Sequence, residues 1–192
     1  MPDPASMPAV HERLRFDTAH GQVLDQSRRY VLLRTDVLMG TFDALEPAER
    51  DAALRAFGRS VFVHGSDSLR AYAAQPGVAG EVLLRTVQDA AASLGWGRWQ
   101  LAQGGSALTL QVDNSPFAAA THEKLPACHA VAGMLEGLAA ALWGEGASAA
   151  ETFCAAQHGG ERCRFVARPK AVHSLFSSGD PADFDPPTET ST

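Results

Sequence analysis

The stretch from residue 126 to residue 167, PACHAVAGMLEGLAAALWGEGASAAETFCAAQHGGERCRFVA, decides the fold of this chain. Apolar residues recur along its first half at i, i+4, i+7 and i+11, namely at Val131, Leu135, Leu138 and Leu142. This spacing predicts a helix over about residues 126–143 with one buried face, which the glycines that follow would end. The second half predicts a β-hairpin over residues 150–167, because Gly159 and Gly160 form a two-residue turn signal.

All three cysteines of the chain lie in this stretch and favour a metal site. Cys128 shares the buried stripe of the helix, at its first turn. A two-residue hairpin turn would pair Cys163 with Ala156 and make Cys154 its diagonal neighbour on the face that the helix covers. Thiolates suit zinc, which takes four ligands in a tetrahedral array. Three buried free thiols, which are common in protein cores, are the alternative.

Spacing alone leaves the fourth ligand open. Glu151 lies three residues before Cys154, but it would reach the metal only from a bend or bulge, because these two positions of a flat strand face opposite ways. His129, next to Cys128 on the helix, and His158, in the turn, are the alternatives. Three thiolates and one further protein ligand leave no position for water, so we expect the zinc to be structural.

Upstream of this stretch the sequence alternates between helical and strand patterns. Pro47 marks a first helical position, and the apolar spacing of residues 80–94 predicts a second helix. Over residues 99–112 apolar residues alternate around a Gly-Gly-Ser turn, which predicts a hairpin with one buried face. Gly133 and Gly137 favour close packing of the long helix on the sheet. We therefore expect an α+β fold in which an antiparallel sheet packs against helices.

The two ends of the chain differ in composition from its middle. Residues 1–25 are rich in Pro, Asp and small residues, and we expect them to be an N-terminal tail. Residues 170–192 are acidic and rich in Pro, Ser and Thr, which predicts a disordered tail. The remaining residues, 26–169, are expected to form one domain, with a helical N-terminal part over 26–79 and a core over 80–169.

Charge and composition exclude several classes of function. A net charge of -6 and a pI near 5.6 argue against nucleic acid as a direct partner, because phosphate binding needs a basic face. No apolar run is long enough to span a bilayer, and the N-terminus does not resemble a secretory signal, so we expect a cytoplasmic protein. The sequence contains no Walker A motif, no dinucleotide fingerprint and no basic recognition helix. We interpret Arg28 and Arg29 as solvated charges rather than as a phosphate site.

One further pattern runs through residues 112–165. It consists of a strand end, a helix cysteine followed by two glycines, a Glu-x-x-Cys spacing, a glycine turn and a Cys-x-Phe ending, namely Val112, Asp113, Asn114, Ser115, Cys128, Gly133, Gly137, Glu151, Cys154, Gly159 or Gly160, Cys163 and Phe165. This pattern resembles the vinyl-4-reductase (4-vinyl reductase) domain family, most specifically over about residues 80–168. The family includes the ligand-sensing domains of phenol- and toluene-responsive transcription activators and proteins encoded with bacteriochlorophyll biosynthesis genes, which implies a bacterial protein.

The resemblance implies both a fold and a zinc site. The family's fold is similar to that of vesicle-tethering (transport particle) subunits, with antiparallel strands packed against helices, often in a dimer. In its phenol-sensing members a helix Cys, a Glu and two hairpin Cys bind zinc close to the ligand pocket, which for this chain implies Cys128, Glu151, Cys154 and Cys163. The resemblance thereby favours Glu151 over the two histidines. The His and Trp that hold the phenol hydroxyl in those sensors have no clear match in this chain.

The candidate ligand-binding residues are aromatic and histidine side chains expected near the zinc, namely Trp96, Trp99, Phe117, Trp143 and His64. Ordinary packing is the alternative for each of them. The resemblance implies a domain that senses or carries a hydrophobic or aromatic small molecule without catalysis. We expect it to form a homodimer and to pass its signal to a separate regulatory protein. The alternative functions are an accessory protein that handles tetrapyrroles in (bacterio)chlorophyll biosynthesis and a reductase-like enzyme.

Overall fold

The computed structural model describes residues 10–144 and 146–170, and these residues form the expected α+β fold. The helices are α1 (Val10–Arg13), α2 (Thr35–Asp43), α3 (Pro47–Ala73), α4 (Glu81–Ser93), α5 (Pro116–Ala120), α6 (His129–Trp143) and α7 (Ala155–His158). The strands are β1 (Arg15–Asp17), β2 (Gln22–Asp25), β3 (Arg28–Tyr30), β4 (Arg98–Gly104), β5 (Ala107–Asp113), β6 (Ala147–Phe153) and β7 (Arg162–Pro169). Apart from Lys170, the expected acidic tail lies outside the described residues. None of the helices in the described ranges has the length and apolar character needed to cross a membrane.

A four-stranded antiparallel sheet in the order β4-β5-β7-β6 forms the centre of the fold. The predicted hairpin of β4 and β5 is confirmed, and in it Leu101 pairs with Leu110. Leu108, Leu110 and Val112 are buried and alternate with exposed residues along β5, because successive side chains of a strand face opposite sides. Helix α6 contacts β6 and β7, so this sheet and α6 share one core.

Glycines bring α6 against α3. A methyl group at Gly133 would overlap the carbonyl oxygen of Gly58 on α3, and one at Gly137 would lie 2.7 Å from Ser66 Oγ on the same helix. The prediction that the two glycines of α6 pack on the sheet is therefore wrong. Their spacing of four aligns them on one face of the helix, but the tertiary fold decides which neighbour covers that face.

The connection between β6 and β7 differs from the predicted two-residue turn. The residues after Cys154 form a helical turn, α7, which Gly159 ends with φ at 78°, in the left-handed region that favours glycine. Ala156 therefore belongs to a helix and not to a strand. The predicted pairing of Cys163 with Ala156 is wrong, and Cys163 pairs with Val112 on β5 instead.

A second antiparallel sheet, in the order β1-β2-β3, lies near the N-terminus. It includes part of the segment 1–25 that was expected to be a tail, because residues 10–25 form α1, β1 and β2. Val10 is buried, and Arg13 contacts the buried Asp25 carboxylate at 2.8 Å. Strands of three or four residues are too short for an alternating pattern to be visible in the sequence.

Candidate functional site

Four potential metal ligands converge beside the start of α6. Cys128 is the N-cap residue of α6, Glu151 lies near the end of β6, Cys154 follows that strand, and Cys163 is the second residue of β7. Their ligand atoms, three Sγ and one carboxylate oxygen, all lie within 4.8 Å of one another. The three thiols are free and buried. These four residues, the metal cluster, could therefore hold a metal ion.

The spacing of the metal cluster fits a small cation in tetrahedral coordination. Cys128 Sγ lies 3.7 Å from Cys163 Sγ. Zinc–thiolate bonds of about 2.3 Å would place two sulfurs of a tetrahedron about 3.8 Å apart. Glu151 Oε1 is buried and has no hydrogen-bond partner within the described ranges, as expected for an oxygen that binds a metal. Three thiolates and a carboxylate also form a donor set that suits zinc.

A β-bulge explains how Glu151 reaches the cysteines. β6 and β7 pair regularly up to Glu151, which lies opposite Phe165. The register then shifts, so that Phe153 lies opposite Arg164. A bulge bends its strand and changes the direction of the side chains beside it. Glu151 can therefore share a site with a cysteine three residues later, which a flat strand would not allow.

The metal cluster holds more acidic groups than a buried site can keep ionised without a cation. Burial raises the pKa of Glu151 to about 8, and the charge of the Cys154 thiolate adds to this shift. Hydrogen bonds with Cys154 and Cys163, together with burial, raise the pKa of Cys128 far above its usual range. Hydrogen bonds from Cys128 and Cys163 lower the pKa of Cys154, so this thiol ionises first. A divalent cation would favour the ionised form of all four groups.

Polar groups around the metal cluster support two of its sulfurs. The Ala155 N–H donates to Cys163 Sγ, with 3.3 Å between the two atoms, and the hydroxyl of the buried Ser115 lies 3.4 Å from Cys128 Sγ. Hydrogen bonds of this kind orient metal ligands. Cys128 also lies at the N-terminus of a 15-residue helix, where the partial positive charge of the peptide N–H groups favours a thiolate.

The two histidines considered as alternative ligands lie outside the metal cluster. His129 Nε2 lies 3.8 Å from Asp51 Oδ1 on α3. The ring of His158 packs on Phe153, with 4.9 Å between the ring centroids. The cluster consists instead of the three cysteines and Glu151.

A buried ion pair, which no pattern in the sequence predicts, holds the segment that leads to the cysteine of α6. Arg50 on α3 is 2% exposed, and its guanidinium donates to Asp43 Oδ1 at 3.1 Å. It also donates to the Pro126 carbonyl oxygen at 3.3 Å and to the Thr121 hydroxyl at 3.0 Å. Asp43 accepts further hydrogen bonds from the Thr121 hydroxyl and the His122 N–H. A single arginine in a helical pattern usually indicates an exposed face, so the sequence shows no sign of this contact.

A cavity of about 340 Å³ lies between α3, α4, β3 and the start of β4. Its buried lining is apolar and includes Leu69, Val87, Ala91 and Trp99. Polar side chains are present at the same cavity, among them Tyr30, Tyr72 and His64. This volume is within the range of about 300–1,000 Å³ that is typical of small-molecule sites, and such sites combine an apolar lining with a few polar groups.

The structure brings three of the five candidate ligand-binding residues to this cavity. Trp96, Trp99 and His64 line it. Phe117 lies behind the lining and packs edge to face on Trp96, with 5.4 Å between the ring centroids. Trp143 is the last residue of α6 and is not part of the lining. The role of all five in ligand binding stays a prediction. The tyrosines and arginines of the lining were missed, because the sequence does not indicate that β3 lies against α3 and α4.

Direct contacts join the cavity to the metal cluster. Trp99 pairs on the sheet with Val112, and Val112 pairs on its other side with Cys163. The Trp99 indole N–H donates to the Trp96 carbonyl oxygen at 3.1 Å, which ties the two cavity tryptophans together. The cavity therefore lies two strands away from a cysteine of the metal cluster.

Residues 108–169 match the model of the vinyl-4-reductase domain family. The matched segment runs from β5 to β7 and contains all four residues of the metal cluster. It confirms the resemblance to this family that the sequence pattern indicated. No curated protein matches the chain by sequence.

Solved structures that are similar to this chain include the phenol-responsive sensory domain of the transcription activator PoxR with phenol, at a TM-score of 0.71 and 19% sequence identity. The alignment covers 83% of this chain and 86% of that chain, and it shows a common fold. A vinyl-4-reductase family protein from Methanocaldococcus jannaschii has a TM-score of 0.46 at 12% identity, over 70% of this chain and 75% of that chain. A trafficking protein particle complex subunit 3 from Naegleria fowleri, covalently bound to palmitic acid, has a TM-score of 0.42 at 13% identity, over 71% and 95%.

Proposed function

We propose that this chain is a zinc-stabilised domain that binds a hydrophobic or aromatic small molecule, as a sensor or carrier, without catalytic chemistry of its own. The observation that carries this proposal is the cavity of about 340 Å³ with its buried apolar lining. The match to the vinyl-4-reductase domain and the fold shared with a phenol-responsive sensory domain support the same function.

The lining of the cavity suits an aromatic ring. Trp96 and Trp99 offer large flat surfaces, and Trp96 is held in place by its edge-to-face contact with Phe117. Leu69 and Val87 add apolar surface from two helices. Burying the apolar body of a ligand against such surface would stabilise the complex by about 25 cal/mol per Å² of apolar area removed from water.

Zinc is proposed to be structural. Cys128, Glu151, Cys154 and Cys163 would fill all four positions of a tetrahedral site, and a site without an open position is typical of structural zinc. Bound zinc would cross-link α6 to β6 and β7 and supply the positive charge that ionised thiolates need. The residues themselves contribute the helix N-terminus at Cys128 and the hydrogen bond from Ala155 to Cys163.

Native mass spectrometry with elemental analysis of the same sample tests the metal. We expect one zinc ion per chain. Glu151→Gln should lower the zinc affinity by at least about tenfold, as is typical when a group that supports a metal site is altered. Glu161→Gln removes a carboxylate of the same type from an exposed position and should keep the affinity of the unchanged chain. Metal-free protein that is folded and was never exposed to a chelator would contradict the zinc proposal.

Ligand binding is tested by filling the cavity. Ala90 lines the cavity and Ala92 on the same helix is exposed and does not line it, so Ala90→Phe and Ala92→Phe form a matched pair. In differential scanning calorimetry with phenol and with 2-naphthol, the unchanged chain and Ala92→Phe should gain thermal stability, because a ligand that binds only the folded state stabilises it. Ala90→Phe should gain none. Absence of a shift in all three proteins at saturating ligand would contradict the proposal.

The remaining expectations are proposals that need their own measurements. Val31, Leu32 and Leu33 directly follow β3, an edge strand of the small sheet, and are 78%, 68% and 55% exposed. Exposed apolar residues beside a strand edge support a homodimer, which light scattering of the purified chain would reveal. The regulatory partner and the cytoplasmic location likewise stay proposals. Coloured purified protein with the mass of a bound tetrapyrrole would favour the tetrapyrrole alternative.

A further inference from the structure

One end of the cavity is basic, whereas its buried end is apolar. Arg28 and Arg29 line the cavity from β3, with Arg28 half-buried and Arg29 exposed. His64 adds a third basic side chain from α3. No Asp or Glu of the described residues lines this cavity. The basic character is local, because the chain as a whole carries a net charge of -6.

The carboxylate closest in the sheet to these arginines already has a partner. Asp25 lies opposite Arg28 in the pairing of β2 with β3. Its two oxygens accept hydrogen bonds from Arg13 at 3.2 Å and 2.8 Å, and its side chain is only 4% exposed. Neither Arg28 nor Arg29 forms an ion pair with any residue in the ranges 10–144 and 146–170. The positive charge at this end of the cavity therefore has no counter-charge from the described chain.

We propose that the ligand is an apolar, aromatic molecule that carries an anionic group, and that Arg28 and Arg29 bind this group while the rings occupy the buried end. The inference rests on the proposed small-molecule function and adds the charge of the ligand to it. Guanidinium groups bind carboxylates through two parallel hydrogen bonds, which fixes both the position and the orientation of the anion. A half-buried arginine also gains from a counter-charge, because removing a charge from water is unfavourable unless it is paired.

The tyrosines of the lining fit the same ligand. The Tyr72 hydroxyl accepts a hydrogen bond from Arg13 at 3.3 Å, so its own proton can be donated to an anion in the cavity. Burial raises the pKa of Tyr30, and the positive charge of Arg28 opposes this shift, which indicates that the Arg28 charge lies near the Tyr30 hydroxyl. Both tyrosines therefore stay neutral donors near neutral pH and add no negative charge that would repel the ligand.

The test compares two probes of nearly equal size, naphthalene-2-carboxylate and the neutral naphthalene-2-carboxamide, by isothermal titration calorimetry on the full chain at low ionic strength. The unchanged chain is expected to bind the carboxylate at least about tenfold more tightly than the carboxamide. The double variant Arg28→Gln/Arg29→Gln should bind the two probes with nearly equal affinity. Added salt should reduce the preference of the unchanged chain, because it screens the arginine charges.

A matched control removes two charges elsewhere. Arg85 and Arg168 are exposed and do not line the cavity, so Arg85→Gln/Arg168→Gln should keep the preference for the carboxylate. Equal affinity of the unchanged chain for both probes would overturn the inference and leave the proposed function intact. A preference that survives in Arg28→Gln/Arg29→Gln would also overturn it. Binding of neither probe would overturn the inference together with the proposed function.

Discussion

Replacement of Arg50 by methionine tests whether the buried ion pair with Asp43 holds the segment before the metal cluster. The two side chains are 2% and 10% exposed, so little water would replace the lost guanidinium. Breaking a buried ion pair by removing one partner costs about 3–5 kcal/mol of unfolding free energy. We expect the lower end, about 3 kcal/mol, because Asp43 keeps its hydrogen bonds from Thr121 and His122.

The assay is urea unfolding followed by circular dichroism at one fixed concentration of free zinc, since bound metal adds to the stability of the folded state. Arg55→Met is the matched control on the same helix, because Arg55 pairs with Asp51 at an exposed position. Its loss should cost less than about 1 kcal/mol. The double variant Arg50→Met/Asp43→Asn should lose less than the sum of the two single losses, because it leaves no unpaired charge. A loss of less than about 1 kcal/mol for Arg50→Met would refute the reasoning.

The remaining predictions concern the metal, a helix contact and pH. Cys154→Ser should destabilise the whole domain in thermal melts, because metal binding and folding are coupled, and a stable, ligand-competent variant would contradict a structural role for zinc. Gly133→Ala should cost more than about 2 kcal/mol in urea unfolding, because its methyl group would overlap the backbone of Gly58. Gly40→Ala is the control, since its methyl group would meet no atom within 4 Å, and equal losses for both would contradict the packing argument. The stability advantage of the unchanged chain over Asp43→Asn should shrink as the pH falls below about 4, and an advantage that is constant with pH would contradict this.

The sign of the pH effect follows from the contacts of Asp43. Burial alone would raise the pKa of this carboxyl, but the hydrogen bonds from the His122 N–H, the Thr121 hydroxyl and Arg50 outweigh it and hold the pKa below its ordinary value of 3.8. A group with a lowered pKa in the folded state contributes stability above its unfolded pKa and loses it as the pH falls through the folded pKa. The asparagine variant has no such group and should not show this dependence.

Local patterns in the sequence were sufficient for most of the central elements. The apolar spacing that ends at Leu142 predicted helix α6, and the alternation from Leu108 to Val112 predicted β5, because the periods of helix and strand are properties of the backbone. The metal cluster was also within reach, since cysteines and a Glu-x-x-Cys spacing are visible along the chain. The family resemblance was needed to choose Glu151, because spacing alone left two histidines as equal candidates.

What the tertiary structure decided is how these elements meet. The bulge after Glu151 and the helical turn after Cys154 change the register of a strand pair by packing that no local signal reports. The burial of Arg50, the contact of Gly133 with α3 and the position of Arg28 at the cavity join residues that are far apart in sequence. Periodicity determines which face of an element is apolar, whereas the partner of that face depends on the packing of the whole chain, and for this reason the sequence determined the elements and the metal ligands while the three-dimensional fold alone determined the cavity and its charge.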